Sequence, residues 1–184
     1  MANPLLAFRA AALCALAAAL ACALPAAEEV RSWQSLAARV IGIESGLPSN
    51  GAPLLFQTRD GYLWIGTEAG LARYDGVRLT TFRHQDTPEL ADNLIRYFFE
   101  DRDGVLWIGT QGGLTRYRAG RFERVPQFDR MIVAAIAGDA AGHLWIGTVS
   151  ELWEGTGGEF TQRSRETSGL AGKEVRRLFS GSEG

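Results

Sequence analysis

The acidic and histidine side chains are the residues of this chain that could bind a metal ion or catalyse a reaction. The stretch Asp-Arg-Asp-Gly at 101–104 resembles the start of a calcium-binding loop, but the later ligands and closing glutamate of an EF-hand are absent. His84 and His143 have no partner at metal-ligand spacing. The sequence also lacks a nucleophile elbow and a phosphate-binding glycine loop. We therefore predict no catalytic, metal-binding or cofactor-binding residues in this chain, and a hairpin turn at 101–104.

Three tryptophans are the other side chains that could hold a ligand, because an indole ring can stack on a sugar. Each lies in the same pentapeptide, Leu-Trp-Ile-Gly-Thr, which recurs around Trp64, Trp107 and Trp145. A position that is kept in every copy of an internal repeat serves what all the copies share, which is the scaffold. We therefore predict that these tryptophans pack between structural units and are not sugar platforms.

The spacing of the pentapeptides indicates the structural unit. The tryptophans are 43 and 38 positions apart, and a period near forty with strand-like cores is typical of the four-stranded blades of a β-propeller. The first copy contains four predicted strands, at 54–57, 63–67, 71–74 and 79–83. The inner strands, at 54–57 and 95–99, are apolar and are predicted to be buried on both faces. The predicted fold is an all-β propeller, incomplete here, with about three blades and the first strand of a fourth.

Two features of each copy set its geometry. Asp-Gly pairs supply the positive-φ turn between the inner strand and the pentapeptide strand. Within the pentapeptide, Trp and Gly project to one face, so that a large ring beside a residue without a side chain suits the close packing of neighbouring blades. The predicted structural residues are Asp60, Gly61, Trp64, Gly66, Asp103, Gly104, Trp107, Gly109, Trp145 and Gly147.

The third copy departs from this pattern. Glu151 replaces the glycine of the following turn, and Leu-Trp-Glu-Gly at 152–155 stands where the first two copies carry an Arg-Tyr pair. We therefore expect the turn geometry of this blade to differ.

The repeat divides the chain into successive ranges. A strand-like segment at 39–43 precedes the first inner strand and is predicted to complete the last blade of a closed ring. The predicted ranges are a signal peptide at 1–27, a lead-in with this outer strand at 28–44, blade 1 at 45–86, blade 2 at 87–126, a divergent blade 3 at 127–167, and a truncated blade 4 at 168–184. At about forty residues a blade, these ranges predict the N-terminal part of a longer propeller.

Positions that differ between the copies and lie in loops are the candidates for ligand binding. Sliding the copies over one another places Ser49 and Asn50 on Asp92 and Asn93. The turns at 68–69, 111–112 and 149–150 also differ, as do the residues that precede each pentapeptide. We predict Ser49, Asn50, Asp92 and Asn93 as ligand-binding residues, with solvated loop positions as the alternative.

The first 27 residues have the layout of a secretory signal peptide: Arg9, a long run of Ala and Leu, and a small-residue ending at Ala27. Both cysteines, Cys14 and Cys22, lie inside this segment. The exported chain would therefore carry no disulfide. A lipoprotein site at Cys22 is the alternative, but the residue three positions earlier is Ala where such sites favour Leu.

The composition argues against nucleic-acid and membrane partners for the exported part. The formal net charge is −2, and both signs are mixed along the chain, so there is no polybasic field for nucleic acid. After the leader, no apolar run reaches the roughly twenty residues that span a bilayer.

The repeat closely resembles a known family. The strings that carry the resemblance are Gly-Leu-Pro-Ser-Asn at 46–50, Asp-Gly-Tyr-Leu-Trp-Ile-Gly-Thr at 60–67, Gly-Leu-Ala-Arg-Tyr-Asp-Gly at 70–76, and the second pass through 103–117. Together they are similar to the two-component regulator propeller repeat over nearly all of 40–184. The resemblance implies a periplasmic sensor of a bacterial receptor. In that family a small β-sandwich, one transmembrane helix and a cytoplasmic histidine kinase or diguanylate cyclase usually follow the propeller.

These observations predict an extracytoplasmic ligand-sensing propeller whose parent protein is anchored in the inner membrane. The predicted partners are a small molecule or oligosaccharide, the remaining C-terminal blades of the same protein, and a second copy in a full-length homodimer. The alternatives are a secreted propeller hydrolase or lyase with its catalytic residues in other blades, and a secreted scaffold without a small ligand.

Overall fold

The computed structural model describes residues 40–51, 54–139, 141–163 and 175–179. The predicted signal peptide and most of the predicted lead-in lie outside these residues. Within them, twelve strands and two short 3₁₀ helices are present, and no helix is long and apolar enough to cross a bilayer.

The twelve strands form three separate four-stranded antiparallel sheets, each in sequence order. Blade 1 consists of β1 Leu54–Gln57, β2 Leu63–Gly66, β3 Leu71–Tyr74 and β4 Leu79–Phe82. Blade 2 consists of β5 Ile95–Glu100, β6 Leu106–Thr110, β7 Leu114–Arg118 and β8 Arg121–Val125. Blade 3 consists of β9 Val133–Gly138, β10 Leu144–Thr148, β11 Leu152–Thr156 and β12 Glu159–Arg163. The prediction of an all-β propeller with four-stranded blades is confirmed.

The pentapeptide is the second strand of each blade and lies between the inner and third strands. Trp64 pairs with Phe56 on one side and Arg73 on the other, and Trp107 pairs with Phe99 and Arg116 in the same way. In blade 3, Trp145 pairs with Ala137 and with Glu154. The register is therefore the same in all three blades, although the residues around the third tryptophan are different.

The two faces of the pentapeptide strand pack against different blades. Trp64 belongs to a core that includes Ile95, Leu106 and Ile108 of blade 2. Trp107 belongs to the next core, which includes Val133, Ile136, Leu144, Ile146 and Phe160 of blade 3. Period-two alternation thus points each Trp and Gly towards the following blade and each Leu and Ile towards the preceding one.

Each pentapeptide glycine lets the inner strand of the following blade approach its backbone. A Cβ added to Gly66 would lie 2.9 Å from Ile95 Cγ2, and one added to Gly109 would lie 2.8 Å from Val133 Cγ1. At Gly147 the corresponding atom is Val175 Cγ1, at 2.5 Å. Val175 therefore occupies the place that Ile95 and Val133 occupy in earlier blades, at the start of the predicted fourth blade.

The turn after each pentapeptide keeps its hydrogen bonds even where glycine is lost. The threonine N–H donates to Gly70 O at 3.0 Å in blade 1 and to Gly113 O at 2.9 Å in blade 2. In blade 3, Thr148 N–H donates to Glu151 O at 2.9 Å. Gly70 and Gly113 have φ of 144° and 153°, whereas Glu151 is not among the residues with positive φ. The backbone of this turn does differ in blade 3, as expected, while its closing bond is retained.

Three sequence expectations need correction. Strand β1 is not buried on both faces, because Leu55 is 66% exposed on the side where no described blade precedes it. No strand forms at 40–43: Ile43–Ser45 is a 3₁₀ helix, and residues 40–42 pair with no described strand. Residues 175–179 are not assigned as a strand either. The common reason is that strand geometry and burial require a partner, and the predicted partners of these segments lie outside the described residues.

Candidate functional site

Antiparallel blades place their connections on two opposite edges. The loop face carries the blade-to-blade connections and the turns after the pentapeptides, while the hairpin face carries the turns before them. The four predicted ligand-binding residues lie on the loop face. The Asp-Gly turns lie on the hairpin face.

The predicted ligand-binding residues of blade 1 form local hydrogen bonds. Asn50 Oδ1 accepts from the N–H of Ile43 at 3.0 Å, and Ser49 Oγ accepts from the N–H of Gly51 at 3.2 Å. These contacts shape the loop that leads into β1.

The corresponding residues of blade 2 also cap backbone groups. Asp92 Oδ1 accepts from the N–H of Leu94 at 2.9 Å, and Asn93 Oδ1 accepts from the N–H of His84 at 2.7 Å. The Asn93 amide group also donates to Gln85 Oε1 at 3.2 Å. The structure thus gives all four residues a role in shaping loops, and ligand binding by them stays a prediction.

Two open clefts indent the loop face. The axial cleft, of about 530 Å³, is lined at the starts of the inner strands by Leu54, Glu68, Leu94, Ile95, Arg96, Ala134 and Arg176. The outer cleft, of about 500 Å³, is lined by Glu68, Ala69, Arg83, Gln85, Asp86 and Asn93. Of the four predicted ligand residues, only Asn93 lines either of them. It is brought together there with Glu68 and Ala69, which sequence comparison had also marked as variable.

The hairpin face carries a larger cleft, of about 730 Å³, between the turns of blades 2 and 3. We call it the hairpin cleft. Its charged lining residues are Arg59, Glu100, Asp101, Arg102, Asp103, Arg116, Arg118, Asp139 and His143, and its aromatic ones are Phe99 and Trp107. Sequence analysis had interpreted these turns only as structural elements.

Each turn on the hairpin face is anchored by the side chain six positions before the tryptophan. The indole N–H of Trp107 donates to Asp101 Oδ2 at 2.7 Å, and that of Trp145 donates to Asp139 Oδ2 at 3.3 Å. In blade 1 the acceptor is the hydroxyl of Thr58, at 3.2 Å from Trp64 Nε1. Sequence reasoning missed Asp139 and the anchoring role of Asp101. The signal that could have found them is the oxygen-bearing side chain at the same offset in every copy.

The turn glycines adopt the left-handed backbone that was predicted for them. Gly61 has φ of 90° and Gly104 has φ of 75°. The preceding aspartates act differently: Asp60 Oδ1 accepts from the Thr58 hydroxyl, whereas Asp103 contributes its N–H to Asp101 Oδ1. The segment 101–104 is therefore a hairpin turn whose first carboxylate is used internally. Among the described residues, no group of three or more His, Cys, Asp and Glu side chains could hold a metal ion.

The turn of blade 3 contains a carboxylate, Asp139, whose pKa is strongly lowered. Partial desolvation raises the pKa of Asp139, but hydrogen bonds from the ring and N–H of His143 and from Trp145 outweigh it and lower the pKa to about 2. His143 Nδ1 lies 2.9 Å from Asp139 Oδ2 and 3.8 Å from Glu154 Oε1. This histidine stands where the first two blades carry Tyr62 and Val105.

Blade architecture and repeat chemistry define the chain as part of a β-propeller. The two-component regulator propeller family matches at residues 46–69 and 89–112. The chain therefore carries the two-component regulator propeller repeat, and the resemblance seen in the sequence is confirmed for these two copies. No curated protein matches the chain.

Solved structures from B. thetaiotaomicron share this architecture. The chain is similar to the extracellular domain of the hybrid two-component system BT4673, with 27% identity over 61% of this chain and a TM-score of 0.54. It is also similar to the extracellular domain of the hybrid two-component system BT3049, with 19% identity over 72% of this chain and a TM-score of 0.59. The chain spans 16% of the BT4673 domain and 19% of the BT3049 domain.

A third similar structure is virginiamycin B lyase from Staphylococcus aureus, with 16% identity, a TM-score of 0.50, and coverage of 63% of this chain and 42% of that chain. At this level of identity the likeness to the lyase and to BT3049 concerns the fold alone.

Proposed function

We propose that this chain is part of the extracytoplasmic ligand-sensing propeller of a bacterial signal-transduction receptor. The observation that carries the proposal is the regulator propeller repeat, built into blades like those of the extracellular domain of BT4673. The predicted signal peptide supports the same location. In this proposal the propeller lies in the periplasm, and its parent protein is anchored in the inner membrane.

In this proposal the described blades bind a ligand and do not catalyse a reaction. The output is a histidine kinase or diguanylate cyclase domain that follows a transmembrane helix in the same protein. The ligand is a small molecule or an oligosaccharide, and the receptor acts as a homodimer.

Signal transfer works by population shift. A ligand biases an equilibrium only by the difference in its affinity for the two states, and a shift from 1:99 to 99:1 needs about a 10⁴-fold preference. A site inside one rigid sheet changes little between states. Clefts between blades, such as the axial cleft and the hairpin cleft, change whenever neighbouring blades shift, and they are the favoured places for the ligand.

Export is tested first, by fusing alkaline phosphatase after Arg163 in the chain with and without residues 1–27. We expect phosphatase activity only with the leader, because the enzyme needs an oxidising compartment for its disulfides. Mass spectrometry of the exported product should find an N-terminus near residue 28. Activity that is independent of the leader would refute the proposed location.

Signalling is tested on the protein that the complete gene encodes, in membrane vesicles. We expect autophosphorylation or cyclic-di-GMP synthesis that changes when blades 1 to 3 are deleted. Output that is unaffected by this deletion, or a gene without any output domain, would overturn the sensor proposal. A downstream sequence with paired channel-facing carboxylates and no membrane helix would instead support the secreted enzyme.

A further inference from the structure

The junction between blades 1 and 2 contains a carboxylate that is held on two sides by one arginine. Glu100 Oε2 accepts from the backbone N–H of Arg59 at 2.9 Å and lies 3.4 Å from the Arg59 Nε. The same guanidinium donates to the carbonyl oxygens of Asp101 and Arg102. The Glu100 side chain is 9% exposed. The carboxylate between these blades is thus held by a hydrogen bond from one backbone N–H and by an ion pair with one guanidinium group.

The junction between blades 2 and 3 repeats the arginine but not the carboxylate. Arg102 lies five positions before Trp107, as Arg59 lies five before Trp64. The position of Glu100, seven before Trp107, is taken by Gly138 in blade 3. Neither the N–H nor the guanidinium of Arg102 has a hydrogen-bond partner among the described residues. Arg102 and Gly138 both line the hairpin cleft.

The other carboxylates of the hairpin cleft are mostly engaged. Glu100 binds Arg59, Asp101 accepts from Trp107 and from the N–H groups of Asp103 and Val105, and Asp139 accepts from His143 and Trp145. Arg116 is paired with Glu123 at 2.5 Å. Among the described residues that line the hairpin cleft, two guanidinium groups, those of Arg102 and Arg118, and one carboxylate, that of Asp103, are left unpaired.

An aromatic ring occupies the space into which the first side-chain carbon at position 138 would project. A Cβ added to Gly138 would lie 2.6 Å from Phe99 Cζ, so the ring of Phe99 sits directly over this glycine. Phe99 is only partly buried and lines the cleft. The cleft therefore has both an apolar ring and an unpaired arginine in its lining.

We propose that the hairpin cleft binds a small organic carboxylate, whose carboxylate group takes at the junction of blades 2 and 3 the place that Glu100 takes at the junction of blades 1 and 2. The Arg102 N–H and guanidinium donate to its oxygens, and its apolar part lies against Phe99. Arginine suits this task because its planar fork matches a carboxylate and such charge-assisted bonds are strong. The biological role of this site rests on the proposed function. Binding at the site does not, because it is measured without any signalling output.

The test uses benzoate as the probe and benzamide as the uncharged control ligand. The sample is the purified protein with every blade that its gene encodes. Binding is followed by the ¹H–¹⁵N signals of the arginine Nε–H groups and by titration calorimetry. We expect saturable shifts of the Arg102 signal with benzoate only. Arg102→Gln should weaken the affinity for benzoate at least about tenfold, and Arg102→Lys should weaken it less. The matched surface variant Arg78→Gln should leave the affinity for benzoate unchanged.

Three outcomes would overturn the site. These are equal binding of benzamide and benzoate, unchanged benzoate affinity in Arg102→Gln, and displacement of benzoate by inorganic phosphate at an equal concentration. Arg102 is exposed, so its substitutions should not impair folding, and a thermal melt checks this.

If Arg102-dependent binding occurs but the receptor gives no output, the site stands and the sensor proposal fails. If output responds to ligand without Arg102-dependent binding, the site fails alone.

Discussion

Trp64 and Trp107 differ from Trp145 in what covers them. The first two rings are 1% and 2% exposed, whereas Trp145 is only partly buried. The ring of Trp64 lies 4.8 Å from that of Tyr117 in blade 2, and the ring of Trp107 lies 5.8 Å from that of Phe160 in blade 3. No described aromatic ring contacts Trp145. The tryptophan of the same pentapeptide in the same register is therefore fully or only partly buried according to what packs on it from the following blade.

This difference shows that a blade completes its core with its neighbour. The pentapeptide strands of blades 1 and 2 each contribute to two cores, one on each side, so stability is shared between adjacent blades as in other repeat proteins. Blades 1 and 2 carry an arginine opposite the tryptophan, and the guanidinium of Arg73 lies 4.4 Å from the ring centre of Tyr62 and 5.9 Å from that of Trp64. Blade 3 carries Glu154 there, beside His143.

The largest effect should come from deleting a covered tryptophan. Trp107→Ala removes a buried ring between two blades and is expected to cost about 3 to 5 kcal/mol. Trp145→Ala in the same chain should cost clearly less, because that ring is only partly buried. Urea denaturation followed by circular dichroism measures both. Equal costs would show that burial by the next blade does not explain the tryptophans.

The next effect should come from filling the gap between blades. Gly109→Ala places a methyl group against Val133 and is expected to destabilise the protein by about 1 to 3 kcal/mol through overpacking. The added Val133→Ala change should recover part of this loss. Gly51→Ala is the control, since the nearest atom to its added Cβ is 3.6 Å away. A neutral Gly109→Ala would show that the blades can separate at no cost.

A smaller effect should follow the loss of a turn anchor. Asp101→Asn keeps the shape of the side chain but turns Oδ2 into a donor, so the Trp107 indole N–H loses its acceptor. Among the described residues no buried side-chain nitrogen or oxygen lacks a partner, and creating one costs about 1 to 3 kcal/mol. The midpoint of chemical denaturation measures the loss. Asp103→Asn, which changes an exposed carboxylate of the same turn, should have little effect.

The smallest effect is the pH dependence of the third turn. The pKa of Asp139 is lowered from 3.8 to about 2 by bonds made to its ionised form. Its contribution to stability is therefore fully present above about pH 4 and is lost as the pH falls towards 2. The difference in urea midpoint between wild type and Asp139→Asn should shrink over this range. A difference that stays constant from pH 5 to 2 would contradict the assigned role.

The sequence alone determined the repeat, the four-stranded unit and the alternation of faces. These depend on local chemistry: a fixed period, Asp-Gly turns that need positive φ, and side chains that alternate along a strand. The four strands of blade 1 were predicted almost residue for residue. The resemblance to the regulator propeller repeat followed from motifs of the same kind.

Only the tertiary structure decided which side chains are buried, anchored or left unpaired. Leu55 and Ile65 are both apolar residues of blade 1, yet only Ile65 is covered. The Arg59–Glu100 pair joins residues about forty positions apart, and Arg102 is left unpaired because the next blade offers it no such contact. Such contacts are set by how one blade stacks on the next, and a pattern read within a single blade does not contain them.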